Sequence, residues 1–139
     1  MSTSLEISPE LLERIDKTYF AWFTTVRADG MPQPTPVWFI RDLDGTFLIY
    51  SQPDAHKVRN LQHNSHVALS FAYDEKALKY IVVMGEASID VNALPMHLNV
   101  EYLAKYGDDI ATQLNSTPDR TSRAFSTPIR ISPSRIRGD

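Results

Sequence analysis

The sequence contains no cysteine, which excludes disulfide bonds, iron–sulfur clusters and thiolate chemistry and leads us to expect a cytoplasmic protein. It has no apolar run long enough to span a membrane, and Glu6, Glu10 and Glu13 near the N-terminus argue against a signal peptide. The net charge of -3 gives no basic surface for nucleic acid. Walker, HExxH, GxGxxG and nucleophile-elbow motifs are also missing, so no familiar catalytic motif is present.

The composition is that of one ordinary globular domain. The 139 residues are 42% hydrophobic and 22% charged, which is enough apolar material for a single core. We therefore predict one domain over residues 1–139. Six strands, most of them linked by hairpins, are predicted from alternation and β propensity over 20–27, 31–40, 46–51, 66–73, 78–89 and 127–137.

Helical patterns lie before, between and after these strands. Helices are predicted after Ser8-Pro9 and Pro53-Asp54, over 92–106 with an end at Gly107, over 108–114, and after Thr117-Pro118. Short strands at this spacing, with helices around them, favour a mainly β fold that is an antiparallel barrel or sandwich.

Three prolines disable one edge of a predicted strand. Pro32, Pro34 and Pro36 occupy alternate positions, so their missing N–H groups face the same way in an extended chain. Two interpretations stay open. The edge marks a split in the sheet where a flat ligand rests against the backbone, or the prolines only protect an edge strand against aggregation.

The segment 50–61 is a candidate anion site. It predicts a strand that ends at Pro53 and a helix whose apolar residues recur at helical spacing. Ser51, Lys57 and the first N–H groups of that helix can converge on a phosphate. The alternative is a capped surface helix with a solvated lysine, which from spacing alone is the more common outcome. Asp54 opposes an anion unless it turns away to cap the helix.

Candidate catalytic groups are few. The histidines are His56, His63, His66 and His97; the first three are close in sequence but do not share a helical face, so we predict no metal site. We identify no catalytic acid, base or nucleophile. A chain of this kind with a phosphate site points to a bound cofactor that performs the chemistry, while the protein binds and orients it.

Several blocks, in this order and spacing, resemble the FMN-binding split-barrel proteins related to pyridoxamine-phosphate oxidase. The blocks are 22–26 with Asp29-Gly30, 34–39, 50–53 with 57–61, 85–87, 102–106, and 128–130 with 135–138. The later blocks resemble the branch that uses the deazaflavin coenzyme F-420. The resemblance implies a six-stranded antiparallel split β-barrel of Greek-key type. It also implies a homodimer with two cofactor sites at the interface.

The resemblance further implies a set of cofactor-binding residues. Lys57 and Ser51 would hold the phosphate, with help from Tyr50 and His56, and Tyr80 would be a further contact. The ring would lie along the backbone of four consecutive residues: Thr35, Pro36, Val37 and Trp38.

Two departures from the family pattern limit what the resemblance implies. The oxidases themselves carry arginine where this chain has Thr35, and they have a basic C-terminal substrate motif that is missing here, which argues against vitamin B6 synthesis. The F-420 branch commonly ends in an aromatic residue where this chain has Asp139; if that aromatic shields the ring, substrate access differs here.

The implied activity is hydride transfer between F-420, or FMN, and a small organic substrate. The alternative is a non-catalytic protein that stores or shields a flavin, a deazaflavin or heme.

Overall fold

The computed structural model describes residues 7–138, so the predictions at Glu6 and Asp139 lie outside that range. Within it the chain forms seven strands: β1 Phe20–Val26, β2 Pro32–Trp38, β3 Ile40–Arg41, β4 Phe47–Ser51, β5 His66–Ala72, β6 Tyr80–Ile89 and β7 Thr127–Gly138. The helices over the same range are α1 Pro9–Lys17, α2 His56–Leu61, α3 Val100–Thr112 and α4 Pro118–Ala124, with a 3₁₀ turn at Met96–Leu98.

The strands form one antiparallel sheet in the order β2-β1-β5-β6-β7-β4-β3. β2 and β3 lie at opposite ends of this order although only Phe39 separates them in the chain. The sheet therefore curls until its two ends are neighbours, and the barrel is split along the free edge of β2. The predicted mainly β, antiparallel split-barrel fold is confirmed.

The strand count is seven rather than six because the predicted segment 31–40 breaks at Phe39. The part before Phe39 pairs with β1, and the two residues after it pair with β4. Phe39 is fully buried, so the side chain at the break anchors the chain as it crosses the split.

The barrel interior is filled by the inward residues of alternating strands. In β1, Ala21, Phe23 and Thr25 point inward, and Phe20, Trp22 and Thr24 point outward. β6 is central in the sheet, between β5 and β7. Its pairing register with β7 shifts between Met84 and Gly85, which marks a β-bulge.

A second core lies between the β3–β4 hairpin and the C-terminal helices. Its buried members are Ile40, Leu48, Tyr50, Met96, Tyr102, Tyr106 and Ile110. The predicted helix end at Gly107 is wrong, because α3 continues through it to Thr112. A glycine inside a helix costs only about 1 kcal/mol relative to alanine, and continuing the helix buries Ile110.

Three of the four α-helices within residues 7–138 begin at a side-chain cap. Ser8 and Thr117 cap α1 and α4 as predicted. The predicted helix start at Asn92 is wrong: α3 begins after Asn99, whose side chain accepts a hydrogen bond from the Tyr102 N–H at 3.1 Å. Asp54 does not cap α2, which begins after Ala55 without a side-chain cap. Among the helices of residues 7–138, none is both long and apolar enough to cross a membrane.

Candidate functional site

A cleft of about 370 Å³ opens at the split of the barrel. Its walls come from the end of β2, from β4, from α2 and from the C-terminal helices. The lining residues are mostly apolar or aromatic: Phe20, Pro36, Val37, Trp38, Tyr50, Lys57, Met96, Tyr102, Leu114, Thr121 and Phe125. A concave, largely apolar site with few polar groups is the usual form of a small-molecule site.

The free edge of β2 forms one wall. β2 pairs with β1 on one side and has no partner strand on the other within the described chain. Pro32, Pro34 and Pro36 lie opposite Val26, Thr24 and Trp22 of β1. Because proline has no N–H and antiparallel residues alternate in direction, this edge presents carbonyl acceptors at the three prolines without donors beside them.

Thr35 carries an unusual hydroxyl group on the same strand. Its Oγ1 is buried and has no hydrogen-bond partner within the described residues. A buried hydroxyl without a partner costs about 1–3 kcal/mol. Thr35 does not itself line the cleft, although Pro36 beside it does, so the hydroxyl is a polar group near the cleft wall that a ligand at the β2 edge or an ordered water would satisfy.

Lys57 supplies the single charge among the cleft-lining residues. Burial lowers the pKa of Lys57 below its usual value of 10.5, and no carboxylate of residues 7–138 pairs with its ammonium group. Asn60, one turn further along α2, holds the helix in place, because its amide donates to Thr25 Oγ1 at 2.8 Å and to Gln33 Oε1 at 2.9 Å. The chain thus keeps an unpaired cation half-buried at the cleft.

An aromatic cluster forms the back of the cleft. The Trp38 ring stacks on Tyr106, with ring centroids 4.6 Å apart and planes 3° from parallel. The Tyr50 and Tyr102 rings meet edge to face at 4.9 Å. The Tyr50 hydroxyl donates to Leu94 O at 2.6 Å and accepts from the Asn99 amide at 3.0 Å, which fixes its ring against the cleft.

These phenols stay protonated at neutral pH. Burial raises the pKa of Tyr50, Tyr102 and Tyr106 above the usual value of 10. The cleft therefore combines uncharged aromatic walls with one positive charge at Lys57. That combination suits a planar ligand that carries an anionic group.

Comparison with known proteins identifies the family. The sequence pattern of the family described as pyridoxamine 5'-phosphate oxidase matches residues 7–135. The chain belongs to the pyridoxamine 5'-phosphate oxidase family. The resemblance drawn from the sequence blocks is thereby confirmed at the level of the family. None of the curated proteins matches the chain.

Solved structures of this oxidase-like fold cover nearly the whole chain. A conserved hypothetical protein from Mycobacterium tuberculosis is 18% identical, with a TM-score of 0.77 over 96% of this chain and 84% of its own. A protein named F-420 reductase is 21% identical, with a TM-score of 0.69 over 96% and 98% of the two chains. HutZ, the heme storage protein from Vibrio cholerae, is 20% identical, with a TM-score of 0.69 over 96% and 95%. At these identities, the similarity shows the fold.

Five of the nine predicted cofactor residues line the cleft of this oxidase-family chain: Pro36, Val37, Trp38, Tyr50 and Lys57. The other four lie nearby or elsewhere. Thr35 is the neighbour of Pro36 with the unpaired hydroxyl. Ser51 is fully buried and donates to Gln52 O at 2.9 Å, and the ring of His56 contacts the Arg59 guanidinium at 2.9 Å. Tyr80 is outside the cleft of this chain, at the start of β6.

Six lining residues were not predicted as cofactor contacts: Phe20, Met96, Tyr102, Leu114, Thr121 and Phe125. Four of them come from the C-terminal helices and the loops beside them. The cap at Thr117 predicted α4 itself, but nothing in the sequence shows that Thr121 and Phe125 of this region face β2. The contact between His97 and Ser122, with His97 Nδ1 3.0 Å from Ser122 Oγ, fixes which face of α4 turns toward the cleft.

Proposed function

We propose that this protein is an oxidoreductase that transfers a hydride between a bound flavin-type cofactor and a small organic substrate. The favoured cofactor is coenzyme F-420, and FMN is the alternative. The observation that carries the proposal is Lys57, an unpaired, half-buried cation at the edge of an otherwise uncharged aromatic cleft. Family membership and the fold shared with an F-420 reductase support it.

The cleft residues fit such a cofactor by chemical type. Lys57 would neutralise the phosphate, and Ser51 and His56 are proposed as further phosphate contacts. Thr35 and the carbonyl edge of β2 offer hydrogen-bonding groups to a flat heterocycle. Trp38, supported from behind by Tyr106, offers it a rigid aromatic wall.

When bound, the cofactor supplies the hydride chemistry, and the chain positions it. The apolar walls exclude water from the ring, which strengthens the interaction between Lys57 and an anion. Tyr50 and Tyr102 remain neutral and hold the shape of the cleft. No lining residue other than Lys57 is charged, and Tyr80 of this chain lies outside the cleft, so we assign proton supply to solvent.

We further propose that two copies associate through the outward face of the sheet. On this face Ser70 of β5 lies between Trp22 of β1 and Val82 of β6, and Ala68, two residues earlier on β5, lies between Thr24 and Met84. Trp22 is 47% exposed, and Phe20, which lines the cleft, lies on the same side of β1. The cleft therefore opens beside a surface with exposed aromatic rings and small side chains, which suits a dimer with a cofactor site at its interface.

A charge in the middle of that surface is expected to separate the dimer. Ala68→Glu would bury a carboxylate between the subunits without disturbing a residue that points into the core. We expect a dimer for the wild type and a monomer for the variant by light scattering after gel filtration. Val91→Glu, at an exposed position outside the outward face, is the matched control and should remain dimeric. A monomeric wild type, or a dimeric Ala68→Glu protein, would contradict the proposed interface.

The main alternative is a non-catalytic carrier of a flavin, a deazaflavin or heme. Similarity to HutZ makes heme the relevant competitor. Heme iron needs an axial ligand. Within residues 7–138 no histidine lines the cleft, and the Tyr50 hydroxyl is engaged with Leu94 and Asn99, which leaves Met96 and Tyr102 as the lining side chains of a type that ligates iron. The missing histidine is the feature that favours a flavin-type ring over heme.

The absorption spectrum of the purified protein, alone and titrated with each cofactor, tests this choice. We expect the single violet band of a deazaflavin, or the two bands of FMN. A sharp Soret band with stoichiometric heme would instead favour the carrier. Reduction of the bound cofactor followed by reoxidation with a panel of quinones separates enzyme from carrier. If neither F-420 nor FMN binds, the proposed function is wrong.

A further inference from the structure

A chain of aromatic rings connects the cleft to the protein surface. Trp38 lines the cleft, and its ring lies 4.6 Å from Tyr106 and 5.7 Å from Tyr19. The Tyr106 and Tyr19 rings are 5.0 Å apart. Tyr19 is 37% exposed, whereas Tyr106 is fully buried. The cleft is thus linked to the exposed Tyr19 ring by one direct contact from Trp38 and by a second, closer-packed path through Tyr106.

The rings differ in what can accept their protons. The Tyr19 hydroxyl donates to the carboxylate of Asp109. The Tyr106 hydroxyl contacts the backbone carbonyls of Tyr19 and Phe39 and accepts from the Phe39 N–H at 2.8 Å. Among the tyrosines of residues 7–138, Tyr19 is the one whose hydroxyl donates to a carboxylate. A phenol releases its proton when it loses an electron. Tyr19 is therefore the tyrosine whose proton has a carboxylate acceptor, Asp109, already hydrogen-bonded to it.

We propose that Trp38, Tyr106 and Tyr19 form a relay that carries an oxidising equivalent from the cleft to the surface. An oxidising radical or an excited aromatic ring at the cleft takes one electron from Trp38. One electron then passes from Tyr19 to the Trp38 radical cation, which has kept its indole proton, through the Tyr106 ring, and the Tyr19 proton moves to the Asp109 carboxylate. Trp38 is restored, and the products are a Tyr19 phenoxyl radical and a neutral Asp109 carboxylic acid.

The electrostatics of Tyr19 agree with this proton movement. Partial burial and the hydrogen bond to Asp109 raise the pKa of Tyr19 to about 12. The phenol is therefore protonated at neutral pH, and its oxidation must be coupled to proton release. A relay of this kind would move a one-electron oxidation from Trp38 in the cleft wall to Tyr19 at the surface. This role is distinct from hydride transfer.

Pulse radiolysis with the azide radical tests the relay on the protein alone, so the test does not depend on which cofactor binds. The azide radical is a one-electron oxidant of tryptophan. In a Trp22→Phe background Trp38 is the remaining tryptophan. We expect the absorption of the oxidised Trp38 to decay as that of a phenoxyl radical appears. The rate should not depend on protein concentration, because the electron moves within one molecule.

Three substitutions in that background test the electron donor, the proton acceptor and a tyrosine outside the relay. Tyr19→Phe keeps the ring and removes the proton, and it should abolish the phenoxyl signal. Asp109→Asn should slow its formation at least about tenfold, the effect of ~1.4 kcal/mol in the barrier. Tyr73→Phe, at a tyrosine that packs on Phe71 outside the relay, should change nothing. An unchanged phenoxyl yield in Tyr19→Phe would overturn the relay.

Discussion

Replacing Lys57 with methionine is expected to weaken binding of the phosphate-bearing cofactor by about 1.5–3 kcal/mol, roughly 10- to 150-fold in Kd. The same substitution should leave the free energy of unfolding of the cofactor-free protein unchanged or higher. Lys57 is half-buried and its pKa is lowered by burial without a compensating carboxylate. Methionine keeps a long unbranched chain that favours helix and removes a charge that the fold does not neutralise.

The two effects are measured separately, by cofactor titration and by urea denaturation. The stability difference should also depend on pH. Because the pKa of Lys57 is lower in the folded state, the folded protein loses this proton before the unfolded chain does. The free-energy cost of burying the charged lysine is therefore complete below the folded-state pKa and disappears as pH rises through that pKa toward 10.5. The advantage of the methionine variant should narrow over that range.

Lys76→Met is the matched control, since Lys76 is exposed and lies in the turn between β5 and β6. Both its cofactor affinity and its stability should equal those of the wild type. An unchanged affinity in Lys57→Met would identify Lys57 as an ordinary surface lysine. A joint fall of affinity and stability would identify it as a structural residue.

Two walls of the cleft, the β2 edge and the segment 50–61, were predictable because each is formed by residues close together in the sequence. The proline pattern predicted an unpaired edge, and the segment 50–61 predicted a strand followed by a helix with Lys57 in its first turn. The structure brings these two segments to the same cleft because the barrel splits between them. Local sequence patterns were sufficient here because each wall of the cleft is one continuous segment.

The remaining wall depends on contacts between distant parts of the chain. Phe125 and Thr121 reach the cleft only because α3 and α4 pack over the β3–β4 hairpin. The position of α3 in turn depends on its length, which the sequence predicted wrongly at Gly107. A glycine is a common helix end, so burial of Ile110 one turn later had to outweigh a strong local signal.

Replacing Gly85 or Gly107 with alanine is expected to change the free energy of unfolding in opposite directions. Gly85→Ala has the larger effect. A Cβ atom at Gly85 would lie 2.1 Å from Ser132 O and 2.9 Å from Pro133 Cα, both of them backbone atoms. β6 and β7 must separate at the bulge to admit it. We expect the free energy of unfolding to fall by about 3 kcal/mol, the upper part of the range for overpacking. Urea denaturation at a fixed protein concentration measures it, because the proposed dimerisation would make the apparent stability concentration-dependent.

Gly107→Ala is the matched substitution with the opposite sign. Its Cβ would meet nothing closer than Leu103 Cβ at 3.9 Å, and Gly107 lies inside α3. We expect a gain of about 0.5–1 kcal/mol, because alanine loses less conformational entropy in a helix than glycine does. A loss at Gly107 would mean that α3 ends there after all, as the sequence alone predicts. A neutral result at Gly85 would mean that β6 and β7 do not approach as closely as the register shift requires, and the path of β7 past Met84 would then be wrong.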